Sequence, residues 1–328
     1  MRCVQTWLAI WIMLLHAGAA LAQQKPAQPA QPAKSDQSEK SAQSDNPAQS
    51  IQQWMKDNLD DDVLQMLDQI DQDRVRDFFT KLQRQFDGTN IYELASLKEI
   101  AVQVLPVLKQ FEETQPYAAW LQAHLDDLDA ANEVQREMKA TSPKPQTATV
   151  LPAPPLKILR SVWVKELQKR PWPPLAHACV PKLKQIFVSE NVPPELVWVA
   201  GVESSFDPGA RSPAGAAGMF QLMPATARTE HLSLRPFDER YQPDKSAHAA
   251  ARHLRDLHNH YGDWQLALAA YNAGEGCVDN LLKKHKAGSF DAVVKWLPAE
   301  TQMYVPKVEA TIRLREGLAL TDLKAPPA

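Results

Sequence analysis

The segment PPELVWVAGVESSFDPG, residues 193–209, is the most informative stretch of this chain. Two prolines open it, and proline suits the first turn of a helix. A nearly all-apolar run follows and ends at Glu203, after which Asp207, Pro208 and Gly209 are expected to stop the helix. The pattern therefore predicts one carboxyl at the C-terminal end of a short apolar helix.

The surroundings predicted for Glu203 raise the pKa of its carboxyl. Apolar neighbours disfavour the charged form, and the negative end of the helix dipole does the same. Both effects move the pKa toward the range of a general acid that works near neutral pH. Alone the feature is weak, because a single Glu near a helix end is usually solvated or ion-paired.

Three further motifs follow Glu203 in order: GAAGMFQ at 215–221, AYNAG at 270–274 and ETQMYV at 300–305. The ordered set resembles the family 1 lytic transglycosylases, glycoside hydrolase family 23, which have a goose-lysozyme-like fold. The flanking sequence is most similar to the D-type membrane-bound murein transglycosylases. The resemblance covers roughly residues 156–317, and four ordered motifs are far more specific than any one of them.

Glycoside cleavage normally needs two carboxyls, one as acid and one as nucleophile or base. The sequence offers no convincing second one. Asp207 lies beyond the helix end and is expected to cap the next turn, whereas Asp238, Glu239 and Asp244 fall in a polar loop. Glu300 is helical and is expected to pair with an Arg or with a backbone group. This pattern is consistent with a mechanism that uses a single carboxyl.

The resemblance implies a lyase-type cleavage of peptidoglycan in which the substrate supplies its own nucleophile. Glu203 would protonate the β-1,4 oxygen between N-acetylmuramic acid and N-acetylglucosamine, while the N-acetyl oxygen stabilises the anomeric carbon. The ionised Glu203 would then deprotonate the muramoyl 6-hydroxyl, whose attack leaves a 1,6-anhydromuramic acid end. Two alternatives stay open, a hydrolytic muramidase that uses water and an inactive glycan-binding scaffold protein.

The resemblance also implies which residues bind the glycan. These are Ser204, Gly218, Met219, Gln221, Tyr271, Asn272 and Tyr304. Met219, Phe220 and Gln221 are expected to line the groove, although the common family form after the second Gly is Leu-Met-Gln. Gly215 and Gly218 would let the backbone approach a sugar closely, and turn geometry explains both glycines equally well.

The aromatic and amide side chains of the later motifs have expected roles as well. Tyr271 is expected to place its hydroxyl near Glu203 or the scissile bond. Asn272 would bind the N-acetyl group, although an Asn before a helix stop is often only a cap. Tyr304 would offer a face on which a sugar stacks.

The N-terminus predicts export to the periplasm. Arg2, the apolar run 7–15 and a small-residue site at Ala20-Leu21-Ala22 indicate a signal peptide over residues 1–22. Retention of this segment as an inner-membrane anchor is the alternative, and only then would the membrane be a partner. Residues 23–50 are rich in Gln, Pro, Ala, Ser and Lys, so they predict a disordered linker.

The rest of the chain is predicted to be mainly α, with a lysozyme-like (goose-lysozyme-type) catalytic domain preceded by a small helical bundle. The predicted bundle spans residues 51–141, a Pro-rich linker 142–155, the catalytic domain 156–320 and a tail 321–328. Residues 51–141 carry 18 acidic and 9 basic side chains, whereas residues 142–328 carry 18 and 23. We expect the bundle to be an interaction or spacer module through which a protein partner would bind.

The expected partner of the basic C-terminal half is the anionic glycan strand of peptidoglycan, although docking between the two halves explains the charge asymmetry equally well. Basic residues are not interleaved with aromatics, so no nucleic acid is expected. No cofactor or metal is expected, since the spacing of His248, His253, His258 and His260 does not suit ligands. Cys179 and Cys277 would either pair or stay as buried thiols.

Overall fold

Local sequence signals set the helix limits in this computed structural model, which describes residues 88–109, 115–141, 151–212 and 215–326. The predicted signal peptide, the first linker and the part of the bundle before residue 88 lie outside the described residues. So do positions 142–150 of the second linker and 327–328 of the tail. Within the described ranges, no helix combines the length and the apolar character that crossing a bilayer requires.

Helices make up nearly all of the regular structure in these ranges, so the mainly α prediction is confirmed. The α-helices in chain order are α1 (Ile91–Ala95), α2 (Lys98–Leu108), α3 (Gln115–Thr141), α4 (Leu156–Gln168), α5 (Ala176–Ser189), α6 (Val199–Ser204), α7 (Pro224–Thr229), α8 (Pro243–Tyr261), α9 (Trp264–Ala273), α10 (Glu275–His285), α11 (Phe290–Val293) and α12 (Ala299–Glu316). Short 3₁₀ helices cover Pro194–Trp198, Glu239–Tyr241, Val294–Trp296 and Leu320–Asp322. Two isolated β-bridges join Arg211 with Ala217 and Ala217 with Leu222.

Helix α8 shows how the limits arise from local chemistry. Pro243 occupies its first turn, where the missing N–H costs nothing. Gly262 ends the helix in the left-handed region at φ 67° and donates a hydrogen bond to the carbonyl of His258 across 2.7 Å. Asp263 then caps α9, because its Oδ1 accepts from the backbone N–H of Leu266 at 2.8 Å.

Helix α6 carries the candidate acid and ends one residue after it, before Asp207 and Pro208, as the sequence predicted. It stops at Ser204, and Ser205 and Phe206 follow with φ of 55° and 66°. The reversal directs Phe206 into the core, where its ring packs edge-on against Trp198. A side chain at Gly201 would clash, since a Cβ there would lie 2.9 Å from Cε2 of Phe206. Packing of one aromatic ring therefore fixes the turn after the acid.

Helix α12 is the central element, and its residues are buried along most of its length. It packs against α4, α6 and α9, and also against α1 and α3 from the segment before residue 142. Because a helix surrounded on all sides must satisfy its polar groups internally, its charged residues are expected to be paired. Arg160 of α4 meets this expectation by donating to Glu309 Oε2 at 2.8 Å.

The described part of the predicted bundle packs directly onto the catalytic segment. The backbone N–H of Ala299 donates to the carbonyl of Gly88 at 2.8 Å, and Gln302 Nε2 donates to the carbonyl of Thr89 at 2.8 Å. Every described residue belongs to one compact unit that extends from position 80 to position 328. The boundary at 142–155 stays a prediction about which part folds alone.

Candidate active site

Glu203 lies in the last turn of α6, as the sequence predicted, and its side chain is half-buried. The hydroxyl of Tyr304, from the first half of α12, donates a hydrogen bond to Glu203 Oε1 across 2.7 Å. Tyr304 is itself buried, with 6% of its surface exposed. The ring therefore supports the acid from within the protein, whereas the sequence predicted a face for sugar stacking.

The pKa of Glu203 is raised from 4.5 to about 8, chiefly because burial removes water from the carboxylate. The hydrogen bond from Tyr304 opposes this rise, since it favours the ionised form. The nearby Glu300 adds to the rise through like-charge repulsion. The predicted increase in pKa is confirmed, and the carboxyl holds its proton at neutral pH.

Glu300 is a second carboxyl close to Glu203. The sequence did not predict that these two carboxyls lie near each other. Its pKa is also raised, first by burial, and Asn272 Nδ2 donates to its Oε1 at 3.4 Å. No Arg pairs with it in the described structure, contrary to expectation; instead His124 and Lys307 contribute favourable charge interactions. The spacing of Glu300 and Tyr304, one helical turn apart, is the sequence signal that would have placed it near the acid.

The Gly-rich motif packs behind Glu203 rather than presenting all its side chains to solvent. Met219 and Phe220 expose 1% and 0% of their surfaces, so the expectation that these side chains line a groove is wrong. Both are large and apolar, and burial in the core stabilises them more than exposure to a polar glycan would. Ser204 Oγ donates to the carbonyl of Met219 at 2.7 Å and so ties the acid helix to this motif.

Two residues of the same motif keep an unusual backbone. Gly218 has φ 77°, and a Cβ there would lie 1.8 Å from the carbonyl oxygen of Arg240, so internal packing already requires glycine. Gln221 has φ 47° and stays half-buried. Its Nε2 donates to the carbonyls of Ala210 at 3.2 Å and Gly218 at 2.8 Å, which holds the turn closed.

Tyr271 and Asn272 lie at the C-terminal end of α9, on the side of the helix near Glu203 and Glu300. The hydroxyl of Tyr271 donates to the carbonyl of Phe220 at 2.7 Å, and the charge of Glu203 helps to raise the pKa of this phenol, second to burial. Tyr271 therefore lies near the acid, as expected. Asn272 Oδ1 accepts from Thr301 Oγ1 at 2.7 Å, a contact that the sequence did not predict.

The remaining polar clusters support the fold rather than this site. His248 Nδ1 lies 2.7 Å from Glu190 Oε1, and Arg240 donates to the carbonyls of Gly215 and Leu222 at 2.7 and 2.8 Å. Across the ranges that the structure covers, no group of three or more His, Cys, Asp or Glu side chains is placed to hold a metal ion. No disulfide joins the two cysteines of the described domain.

Comparison with known proteins shows that the segment around this site is similar to a known domain family. Residues 185–294 match the model of the transglycosylase SLT domain. Membrane-bound lytic murein transglycosylase D of Escherichia coli K12 is 44% identical over 137 residues, which cover 40% of this chain and 28% of that protein. The soluble lytic murein transglycosylase of Salmonella typhimurium LT2 is 34% identical over 121 residues, 34% of this chain and 19% of that protein.

These matches support the resemblance drawn from the sequence motifs: residues 185–294 are similar to the transglycosylase SLT domain. The chain spans 28% of the length of the Escherichia coli relative. Among solved structures, the 70 kDa soluble lytic transglycosylase of Escherichia coli aligns with a TM-score of 0.40 at 18% identity, covering 85% of this chain and 50% of that one.

Proposed function

We propose that this chain is a peptidoglycan lytic transglycosylase. It would cleave the β-1,4 bond between N-acetylmuramic acid and N-acetylglucosamine and leave 1,6-anhydromuramic acid ends. The observation that carries this proposal is the Glu203 carboxyl, which lies in the segment similar to the SLT domain, has a pKa of about 8 and accepts a hydrogen bond from Tyr304. The matched relatives named as murein transglycosylases support the choice of glycan.

In the first step, Glu203 acts as general acid. It gives its proton to the glycosidic oxygen, and the bond between that oxygen and the anomeric carbon breaks. The N-acetyl oxygen of the same sugar forms a bond to the anomeric carbon, giving an oxazolinium-like intermediate. Tyr304 keeps Glu203 Oε1 fixed, so the other carboxyl oxygen carries the transferred proton.

In the second step, the ionised Glu203 acts as general base. It takes the proton of the muramoyl 6-hydroxyl while that oxygen attacks the anomeric carbon and displaces the N-acetyl oxygen. The proton returns to Glu203, and no water is consumed. A pKa of about 8 suits both steps, because near neutral pH the carboxyl can both give up its proton and take one back.

The hydrolytic alternative would need a base that activates water. Glu300 is the nearest candidate in the structure, but burial raises its pKa and Asn272 already binds its Oε1. Because Asn272 already engages this carboxyl, we favour the 6-hydroxyl as acceptor over water. An inactive scaffold is disfavoured because the acid and its tyrosine partner are both in place.

Glycan binding is proposed for the residues that surround the acid. We assign Gln221, Asn272 and the backbone of Gly218 and Met219 to the sugar-contacting side of the site, with Tyr271 and Tyr304 fixing the local geometry. Ser204 would act through the Met219 carbonyl that it holds. We also propose export to the periplasm through the signal peptide at residues 1–22.

The test is product analysis with purified cell wall in heavy-oxygen water. We expect unlabelled products that end in 1,6-anhydromuramic acid, detected by mass spectrometry. Glu203→Gln should lower the rate at least about a hundredfold while keeping the fold, since a positioned acid–base group contributes this much. Labelled reducing ends as the main product would replace the lyase with a muramidase, and a fully active Glu203→Gln protein would refute the assignment of the acid.

A further inference from the structure

A buried cation lies on the same face of α12 as the residues that contact the acid. Glu300, Tyr304 and Lys307 are spaced by four and three positions, so their side chains share one stripe of the helix. Lys307 exposes 5% of its surface, and its Nζ lies 4.9 Å from the centre of the Trp163 ring of α4. A buried ammonium requires a partner, because the uncompensated charge is costly away from water.

The partner of Lys307 comes from a helix that precedes the segment matched to the SLT domain. Nζ donates to both carboxylate oxygens of Asp127, at 3.0 Å and 3.1 Å. Asp127 lies on α3, which precedes residues 185–294 by more than one helix and which also contacts α6 and α12 directly. His124, three positions earlier on α3, faces the same region, since its charge acts on Glu300.

We propose that Asp127 is a positioning residue of the active site. By holding Lys307 in a two-point salt bridge, it keeps this cation from the Glu203 carboxyl and thereby preserves the proton that Glu203 must donate. The inference rests on the proposed function of Glu203 as the acid. It extends the active site to α3, a helix that the family domain does not include.

The charges that face Glu203 come from three elements. Helix α12 contributes Tyr304, Glu300 and Lys307, helix α3 contributes Asp127, and helix α9 contributes Tyr271. Lys307 favours the ionised form of Glu203, whereas Asp127 and Glu300 oppose it. Because salt screens buried charges only weakly, neutralising Asp127 would leave the attraction of Lys307 for the Glu203 carboxylate unbalanced.

The test measures the titration midpoint of Glu203 in the full chain. Carbon-13 labelling of glutamate side chains gives the signal by NMR, and its loss in Glu203→Gln assigns it. We expect Asp127→Asn to lower the midpoint by at least about half a pH unit, a shift well within the range that a nearby charge produces. The pH profile of kcat/KM should move in the same direction. Asp127→Glu should restore the wild-type midpoint.

A second variant tests the same idea with the opposite sign. Lys307→Met removes the cation, so the midpoint of Glu203 should rise. The double variant of Asp127→Asn with Lys307→Met should return close to wild type. If Asp127→Asn fails to fold, the titration midpoint of Glu203 in Lys307→Met still tests the inference. A midpoint that is unchanged or lowered in Lys307→Met overturns it.

A matched control separates positioning from simple stabilisation. Glu137, also on α3, pairs with Lys165 of α4 at 2.5 Å and is not among the main groups that shift the pKa of Glu203. Glu137→Gln should leave the midpoint unchanged. If Asp127→Asn lowers only the melting temperature, the salt bridge is merely structural and the inference fails. If the wild-type protein makes no anhydro product while the variants show the expected NMR shifts, the proposed function is refuted and the positioning role stands.

Discussion

The hydroxyl of Tyr304 donates a hydrogen bond to Oε1 of Glu203 across 2.7 Å and joins residues that are 101 positions apart. One oxygen of the acid is thus held from inside the protein. The phenol stays protonated, since burial raises its pKa well above its ordinary value and the Glu203 charge adds to the effect. In the proposed mechanism, most of the chemistry depends on this pair of residues.

Tyr304→Phe should raise the pKa of Glu203 further, because the lost hydrogen bond favours the ionised carboxylate. The alkaline limb of the pH profile should move to higher pH, and the rate near pH 7 should fall about tenfold or more as the carboxyl loses its fixed orientation. Kinetics on purified cell wall between pH 5 and 10 measure both.

The control for Tyr304→Phe is Tyr261→Phe, which removes another hydrogen bond from a tyrosine to a carboxylate. The Tyr261 hydroxyl donates to Asp279 Oδ1 at 2.9 Å, away from the acid. We expect its pH profile to match wild type. Equal effects of the two substitutions would argue against a specific role for Tyr304.

The raised pKa of Glu203 predicts a pH-dependent gain in stability for Glu203→Gln. Between about pH 4.5 and 8 the folded chain keeps a proton that the unfolded chain has lost, so the free energy of unfolding falls as pH rises through this window. Glutamine has no such proton and can still accept from Tyr304. Its advantage over wild type should grow across the window to at least about 2 kcal/mol.

Thermal or urea unfolding at pH 4.5 and pH 8.5 checks this prediction. The difference in unfolding free energy between the two proteins should be small at the lower pH and large at the higher one. A difference that does not change with pH would show that the pKa of Glu203 is close to its unfolded value.

Gly218→Ala should destabilise the domain more than Gly215→Ala does. Both glycines have positive φ, so each substitution costs about 1 to 2 kcal/mol in backbone strain. At Gly218 the new Cβ would also lie 1.8 Å from the Arg240 carbonyl, whereas no atom lies within 4 Å at Gly215. We expect the free energy of unfolding of Gly218→Ala to be about 1 to 3 kcal/mol lower than that of Gly215→Ala.

Melting temperatures of the two variants measure this difference directly. Equal losses would mean that the chain around Arg240 moves aside at little cost. The comparison also tests the assignment of Gly218 to internal packing, since a glycine whose further role was only ligand contact would lose no more stability than Gly215 does.

Residues 156–320 remain our proposed catalytic domain, and the contacts of α12 predict that it depends on the preceding helices. A chain that begins near Leu156 would leave Lys307 without Asp127 and the backbone N–H of Ala299 without Gly88. We expect it to melt at a lower temperature than a chain that begins at Thr80 and to be less active. Equal stability and activity of the two chains would show that 156–320 is self-sufficient.

Helix limits were accessible from the sequence because they depend on neighbours in the chain. The limits of α8 follow Pro243 and Gly262, which act through local backbone geometry. Helix α9 likewise begins directly after its cap, Asp263. The end of α6 at Ser204 also agrees with the sequence, but the left-handed turn at Ser205 and Phe206 depends on packing of the Phe206 ring in the core, which is not local.

The sequence by itself singled out Glu203 as the proposed acid and gave the order of the four motifs and the helical class. These depend on residue type and short-range spacing, which a single chain displays directly. Only the tertiary structure decided that Met219 and Phe220 are buried, that Tyr304 supports Glu203, and that Lys307 pairs with Asp127, 180 positions away. Desolvation and charge pairing act through space, so the pKa of the acid depends on atoms that no local pattern brings together.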